Sequence, residues 1–255
     1  MSCIRYPKRI EKLAVVSSFL LTSAVGLLTM SSAASEPLRI TTIRVAPFGF
    51  VMDDGTPTGF LYELSNRLAE EAGVPYTNEI VPFATMLNKL ATGQSDVSLF
   101  FRSETNDPLV VPVSTLMSLS NVIRGRKGST FDSLESLHGK TVARVRGARY
   151  DEAFNQDVAI KKRDSHNYEE SLKLLREHRV DAVILPDVGF LYTAKRLGYR
   201  LEEFGEPFVL NADELWIQYS KVSANADMIA ALKAAAERLL RDGSIQTLLN
   251  RYVAE

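Results

Sequence analysis

Only one cysteine stands among the 255 residues, and it is the third. Cys3 sits in a basic start with Arg5, Lys8, Arg9 and Lys12, ahead of an uncharged run from Leu13 to Met30 and the small residues Ser31-Ser32-Ala33-Ala34. That layout predicts an export leader, residues 1–34, cut after Ala34 with Ser35 as the alternative end. The competing reading is a retained anchor, since 18 residues is near the lower limit for spanning a bilayer. Five Ser or Thr residues in the run, with the small-residue site directly behind it, favour cleavage. A lipid-bearing cysteine would follow the run, so Cys3 cannot be one, and it leaves with the leader. The mature chain then has no disulfide, no thiol nucleophile and no thiolate metal site.

Histidine is scarce too, and there is no excess of positive charge. His138, His166 and His178 are not at metal-ligand spacing, which excludes the common His/Cys sites. The formal charge is −1 overall; the leader carries four basic residues against Glu11, so the remainder is near −4. That balance argues against nucleic acid as a partner. Gly139-Lys140-Thr141 ends like a phosphate-binding loop, but Leu134 holds the position of its first glycine, and the motif reads as a turn into a strand. Asp53-Asp54-Gly55 reads as a turn, not a calcium loop, because no carboxylate follows at suitable positions. No low-complexity segment is present.

What is there is an alternation of strands and helices. Leu38 to Val45 reads as a strand closed by Pro47. Phe60, Leu61, Leu64, Leu68 and Ala72 then recur at helical spacing up to Gly73. A short strand from Thr77 to Val81 precedes a second helix with Phe83, Met86, Leu87 and Leu90 inward, stopped at Gly93. Asp96 to Phe101 is the next strand. Links this short between strands and helices are the pattern of a parallel sheet with helices packed on it.

The join recurs. Leu90 stands six residues before Asp96, which opens an apolar strand, and Leu175 stands six residues before Asp181, which opens another. Two such units predict two α/β lobes. Ser103 to Thr115 reads as a loop and Asn121 to Gly125 as a crossing segment. A strand from Thr141 to Val145, a short helix from about Arg149, and a strand near Val158 to Ile160 follow. A helix then carries Tyr168, Leu172, Leu175 and His178 in line, capped by Asn167 with Glu170 three residues on. Asp181 to Leu185, a helix from Val188 to Leu197, a return crossing from Leu215 to Tyr219, an amphipathic helix around Met228 to Leu240 and a last short helix from Ile245 to Tyr252 complete the chain.

These residues together resemble extracellular solute-binding family 3, the type II periplasmic binding proteins of the amino-acid-transporter class. The resemblance runs from Leu38 to Val253 and rests on the order of Pro47-Phe48-Gly49-Phe50, Asp54-Gly55, Thr58-Gly59-Phe60, Gly93-Gln94-Ser95-Asp96-Val97, Gly139-Lys140-Thr141-Val142, Arg146-Gly147, Asp181-Ala182-Val183 and Asp242-Gly243. It implies a two-lobed type II clamshell of the α/β class, each lobe a small, mostly parallel sheet flanked by helices, with two hinge strands. The lobes would comprise residues 35–123 with the return segment 212–255, and residues 124–211.

The anchors of that family's amino-acid binders fall here on Val45 (a stacking aromatic), Pro108 (the arginine on the α-carboxylate) and Pro186 (the aspartate on the α-ammonium). The expected ligand-binding residues are Arg102, Ser103, Arg146, Arg149, Asp187, Phe48 and Val45. Arg102 ends the third strand, where open α/β sheets place ligands, and Arg146 and Arg149 sit on a turn leading into a helix. Phe48 and Phe50 could line the cleft or fill the core, and Trp216 reads as hinge packing. The expected function is periplasmic capture of a small polar solute, anionic or amino-acid-like, by a monomer that delivers it to the membrane permease of an ABC-type importer, with no cofactor, no metal and no catalysis. The alternatives are ligand sensing for a membrane signalling protein and a cyclohexadienyl-dehydratase-like enzyme, for which only Asp187 offers an acid or base.

Overall fold

The computed structural model describes residues 36–148 and 150–253 of the chain. The expected leader with Cys3, and the candidate Arg149, lie outside the described residues. Strand β1 (Leu38–Ile43) has Ile40, Thr41 and Thr42 all buried, the signature of a strand covered on both faces. The small hairpin β2 (Phe50–Val51) and β3 (Pro57–Thr58) leads into α1 (Phe60–Glu71), whose Phe60, Leu64 and Leu68 form one inward stripe. Then come β4 (Tyr76–Val81), α2 (Phe83–Ala91) and β5 (Val97–Phe101). β1 pairs in parallel with β4 on one side and β5 on the other, as the alternation of elements requires.

The chain then crosses the molecule in one strand of 16 residues, β6 (Val110–Gly125). A second parallel set follows: β7 (Thr141–Val145), α3 (Glu152–Gln156), β8 (Lys161–Ser165), α4 (Tyr168–Arg176), β9 (Ala182–Pro186) and α5 (Asp187–Arg196). It returns along β10 (Phe208–Ser220) and ends in α6 (Ala226–Arg241) and α7 (Ser244–Val253). The eight strands form one sheet in the order β4-β1-β5-β10-β6-β9-β7-β8. β6 and β10 run antiparallel down its middle, so two parallel three-stranded sets flank an antiparallel ribbon.

Several elements differ from the sequence reading, each for a physical reason. The two crossings are the ends of much longer strands, because Pro112, Ser114 and Ser118, which look like loop residues, pair across the ribbon with Gln218, Ile217 and Glu214. The strand expected near Val158 lies at Lys161–Ser165, and Val158 is 97% exposed. A charged edge strand with a partner on one side only carries little alternation to read. The helix expected from Arg149 starts at Glu152, where Asp151 caps it by accepting from the Phe154 amide at 2.9 Å. α4 stops at Arg176, so His178 lies past its end and not on its stripe. The Asn167 cap is as the sequence predicts: its side chain accepts from the Glu170 amide, and the Glu170 carboxylate accepts from the His166 amide.

Candidate functional site

The strand register locates the cleft. Phe101, the last residue of β5, pairs with Leu215 of β10, while Pro186, the last of β9, pairs with Asn121 of β6, which itself pairs with Asn211 of β10. Both parallel sets therefore point their carboxyl ends at the middle of the ribbon, from opposite directions. Four residue steps of β10 separate the two levels, about 13 Å at ~3.3 Å per residue. Ala212, Asp213 and Glu214 are its floor.

A groove of about 330 Å³ occupies the β5 side of that gap, lined by Arg102, Ser103, Glu104, Asp107, Asp213, Glu214 and Trp216 among others. Arg102 leaves the end of β5 and lies 5.3 Å over the Trp216 ring while donating to both carboxylate oxygens of Asp107, at 2.6 and 3.2 Å. That pairing holds the guanidinium pKa up and the Asp107 carboxyl below its usual range. Ser103 turns the chain: its carbonyl accepts from the Asn106 and Asp107 amides at 3.0 and 2.9 Å. One guanidinium thus faces four carboxyl groups, Glu104, Asp107, Asp213 and Glu214.

Asp213 is the half-buried member. The Asn121 amide donates to it at 2.8 Å and to Asn211 at 2.9 Å, and Asn211 donates to the Tyr150 carbonyl at 3.0 Å, tying the floor to the turn before α3. Burial pushes the Asp213 carboxyl up, the Asn121 hydrogen bond opposes it, and the charge of Asp151 adds to the rise. This polar network is absent from the sequence reading. Asn121 lies 90 residues from Asn211, and the one local signal is three polar residues, Asn211, Asp213 and Glu214, inside a largely apolar strand.

On the opposite side, Asp187 begins α5 and accepts from Arg124 at 3.3 Å; the Arg124 guanidinium is 4.5 Å from the Phe190 ring centre. Arg146 stands exposed beyond β7, with its amide fixed to the Ser165 carbonyl at 2.9 Å. Val45 is half-buried and packs against the main apolar cluster, in an isolated bridge with Gly49. Phe48 is buried, and its carbonyl accepts from the Leu61 and Tyr62 amides. Phe50 is half-buried, with its ring 5.7 Å from that of Tyr192. Of the expected ligand residues, the structure brings Arg102 and Ser103 into one groove, sets Asp187 and Arg146 at the facing strand ends, and seats Phe48 in the core. Among the described residues, no cluster of three His, Cys, Asp or Glu is placed to hold a metal ion.

Comparison with known proteins bears on this geometry directly. Residues 38–255, the whole folded unit, match the bacterial extracellular solute-binding proteins, family 3. The chain belongs to that family. This family 3 chain is 26% identical over 216 residues to the L-cystine-binding protein TcyJ of Escherichia coli K12, covering 81% of this chain and 78% of the relative. It is 22% identical over 215 residues to the probable amino-acid-binding protein YxeM of Bacillus subtilis, covering 82% and 80%. Among solved structures, an ancestral arginine-binding protein bound to arginine superposes with a TM-score of 0.70 at 22% identity, covering 86% of this chain and 99% of the other. The fold of this family 3 protein is therefore that of the type II periplasmic binding proteins.

Proposed function

We propose that this protein captures an amino-acid-type solute in the gap between the ends of β5 and β9 and presents it to the permease of an ABC-type importer. The observation that carries this is the family match over the entire folded unit, 38–255. The cystine-binding and probable amino-acid-binding relatives support the solute class. The lobes are residues 35–123 with 212–255, and residues 124–211, and they move about the β6–β10 ribbon. The working form is a periplasmic monomer that binds and releases without making or breaking a bond.

The charges around the gap give the solute an orientation. Arg102 is already held by Asp107 and stacked on Trp216, so it serves as a wall of the groove together with Ser103. The floor is acidic and takes the ammonium group, with Asp213 as its principal acceptor. The exposed Arg146 on the facing turn takes the carboxylate, and Asp187, paired with Arg124, fixes the entrance to α5. The usual arrangement implied by the family anchors is the reverse, with the carboxylate on the β5 side. A ligand that touches both lobes favours the state in which they approach, and its affinity difference between the two states sets the closed fraction.

A thermal-shift screen against cystine, cationic, neutral and acidic amino acids, dicarboxylates and sugars tests the reading. A specific ligand at about 100 times its Kd stabilises by about 2.7 kcal/mol. Binding of a zwitterionic amino acid that falls at least tenfold in Asp213→Asn supports it. Binding of a dicarboxylate or a sugar with Asp213→Asn unaffected overturns it.

A further inference from the structure

The groove beside β5 already holds a guanidinium, and it is the protein's own. Arg102 lies 5.3 Å over the Trp216 ring, and its Nη2 and Nε donate to the two Asp107 carboxylate oxygens at 2.6 and 3.2 Å. An aromatic face and a carboxylate that takes two N–H groups are the two contacts by which a planar guanidinium is recognised. Both are positioned by groups other than Arg102. The Asp107 and Pro108 carbonyls accept from the Lys221 ammonium, each at 3.0 Å, the Leu109 carbonyl accepts from the Lys221 amide at 3.1 Å, and the Asp107 amide donates to the Ser103 carbonyl at 2.9 Å. The Trp216 indole N–H donates to Glu214 at 3.2 Å, and its backbone is set in β10 opposite Phe100 and Thr115.

We infer that Arg102 is a specificity-determining residue. Its side chain fills the subsite that a second positive charge on the solute would need, and so restricts the groove to amino acids whose one cationic group is the ammonium, excluding arginine-like and lysine-like side chains. The inference deepens the reading above and rests on it for where the solute lies. An incoming cation gains no more from Trp216 and Asp107 than Arg102 gives up in leaving them. It also competes with a side chain tethered at an effective concentration on the order of millimolar or higher. Removing the tethered cation turns exclusion into affinity, because the ring and the carboxylate are then left without a partner.

Trp216 is the one tryptophan of the chain, so its emission reports on the subsite directly. Wild type, Arg102→Ala and Arg102→Gln are titrated with methylguanidinium, L-arginine and the uncharged isostere L-citrulline at constant ionic strength. Both variants should bind methylguanidinium and arginine at least about tenfold more tightly than wild type. Citrulline should show no such gain, and adding Asp107→Asn should abolish it for the two cations. Arg102→Gln keeps a polar side chain at the strand end and carries the test should Arg102→Ala fail to fold. Variants that bind the cations no more tightly than wild type, or a gain for citrulline equal to that for arginine, overturn the inference. Failure of the capture reading looks different: wild type then binds no amino acid, while methylguanidinium binding to the variants still defines the subsite.

Discussion

Asp96 and Asp181 stand one residue before β5 and β9, and each reaches across to the neighbouring parallel strand in the same way. The Asp96 amide donates to the Arg39 carbonyl at 2.7 Å and its carboxylate accepts from the Arg39 amide at 2.9 Å. Asp181 does the same with Thr141, at 2.8 and 2.8 Å. The preceding helix ends match as well, with Gly93 and His178 at φ 69° and 61° and the following amides bonded back to Lys89 and Leu174. The halves then diverge. Asp96 also accepts from two of the three nitrogens of the Arg39 side chain, Nη2 at 2.6 Å and Nε at 3.0 Å, whereas Thr141 offers Asp181 no such group. The left-handed turn holds glycine in one half and histidine in the other. The join is one backbone solution to leaving a helix for a parallel strand, executed with a stronger anchor in the half that must wait for its last elements.

This comparison can be broken by mutation. Asp96→Ala is expected to cost about 3 kcal/mol, since it removes charge-assisted hydrogen bonds to a backbone amide and a guanidinium, while Asp181→Ala, losing its backbone contact alone, costs about 1 kcal/mol. Urea titrations of the two variants decide; equal losses would show that the arginine adds nothing. Acid sharpens the same point. Burial pushes the Asp96 carboxyl up, but the Arg39 and backbone hydrogen bonds outweigh it and its pKa is net lowered. Its contribution is then fully present above the unfolded value near ~4 and is lost as pH falls through the folded one. Wild type and Asp96→Asn should differ at pH 7 and converge near pH 2 in thermal melts.

The turns give the smaller effects. Gly93→Ala puts a Cβ 2.9 Å from Val222 in a left-handed residue, and is expected to cost about 1–2 kcal/mol by chemical denaturation. His178→Gly should do the reverse and add about 1 kcal/mol, because the turn already has the backbone angle that a side chain resists. A loss on that substitution would mean that the imidazole supplies a contact outweighing its strain.

Local patterns were legible where local forces decide. The stripe of Phe60, Leu64 and Leu68 and the Asn167 cap express spacings within ten residues, and the repeated Leu-to-Asp join shows in the sequence as a six-residue spacing although its aspartates bond to a distant strand. The ribbon was not legible, because Pro112 and Ser114 are strand residues only through pairing with a segment a hundred positions later. The site was half legible. The strand-end position of Arg102 follows from the order of elements, but its capture by Asp107 and Trp216, and the Asn121–Asn211–Asp213 floor, depend on where β10 comes to lie.

The position of β10 governs how the molecule can be made. It lies between β5 and β6, yet it begins at Phe208, and α6 and α7 come later still. During vectorial synthesis the β9-β7-β8 set can assemble as soon as α5 has emerged, but β5 keeps an unpaired edge until nearly the whole chain is out. The half that begins the chain is the last to finish. A chain built in this order keeps its first parallel set open at one edge while its second set is already complete.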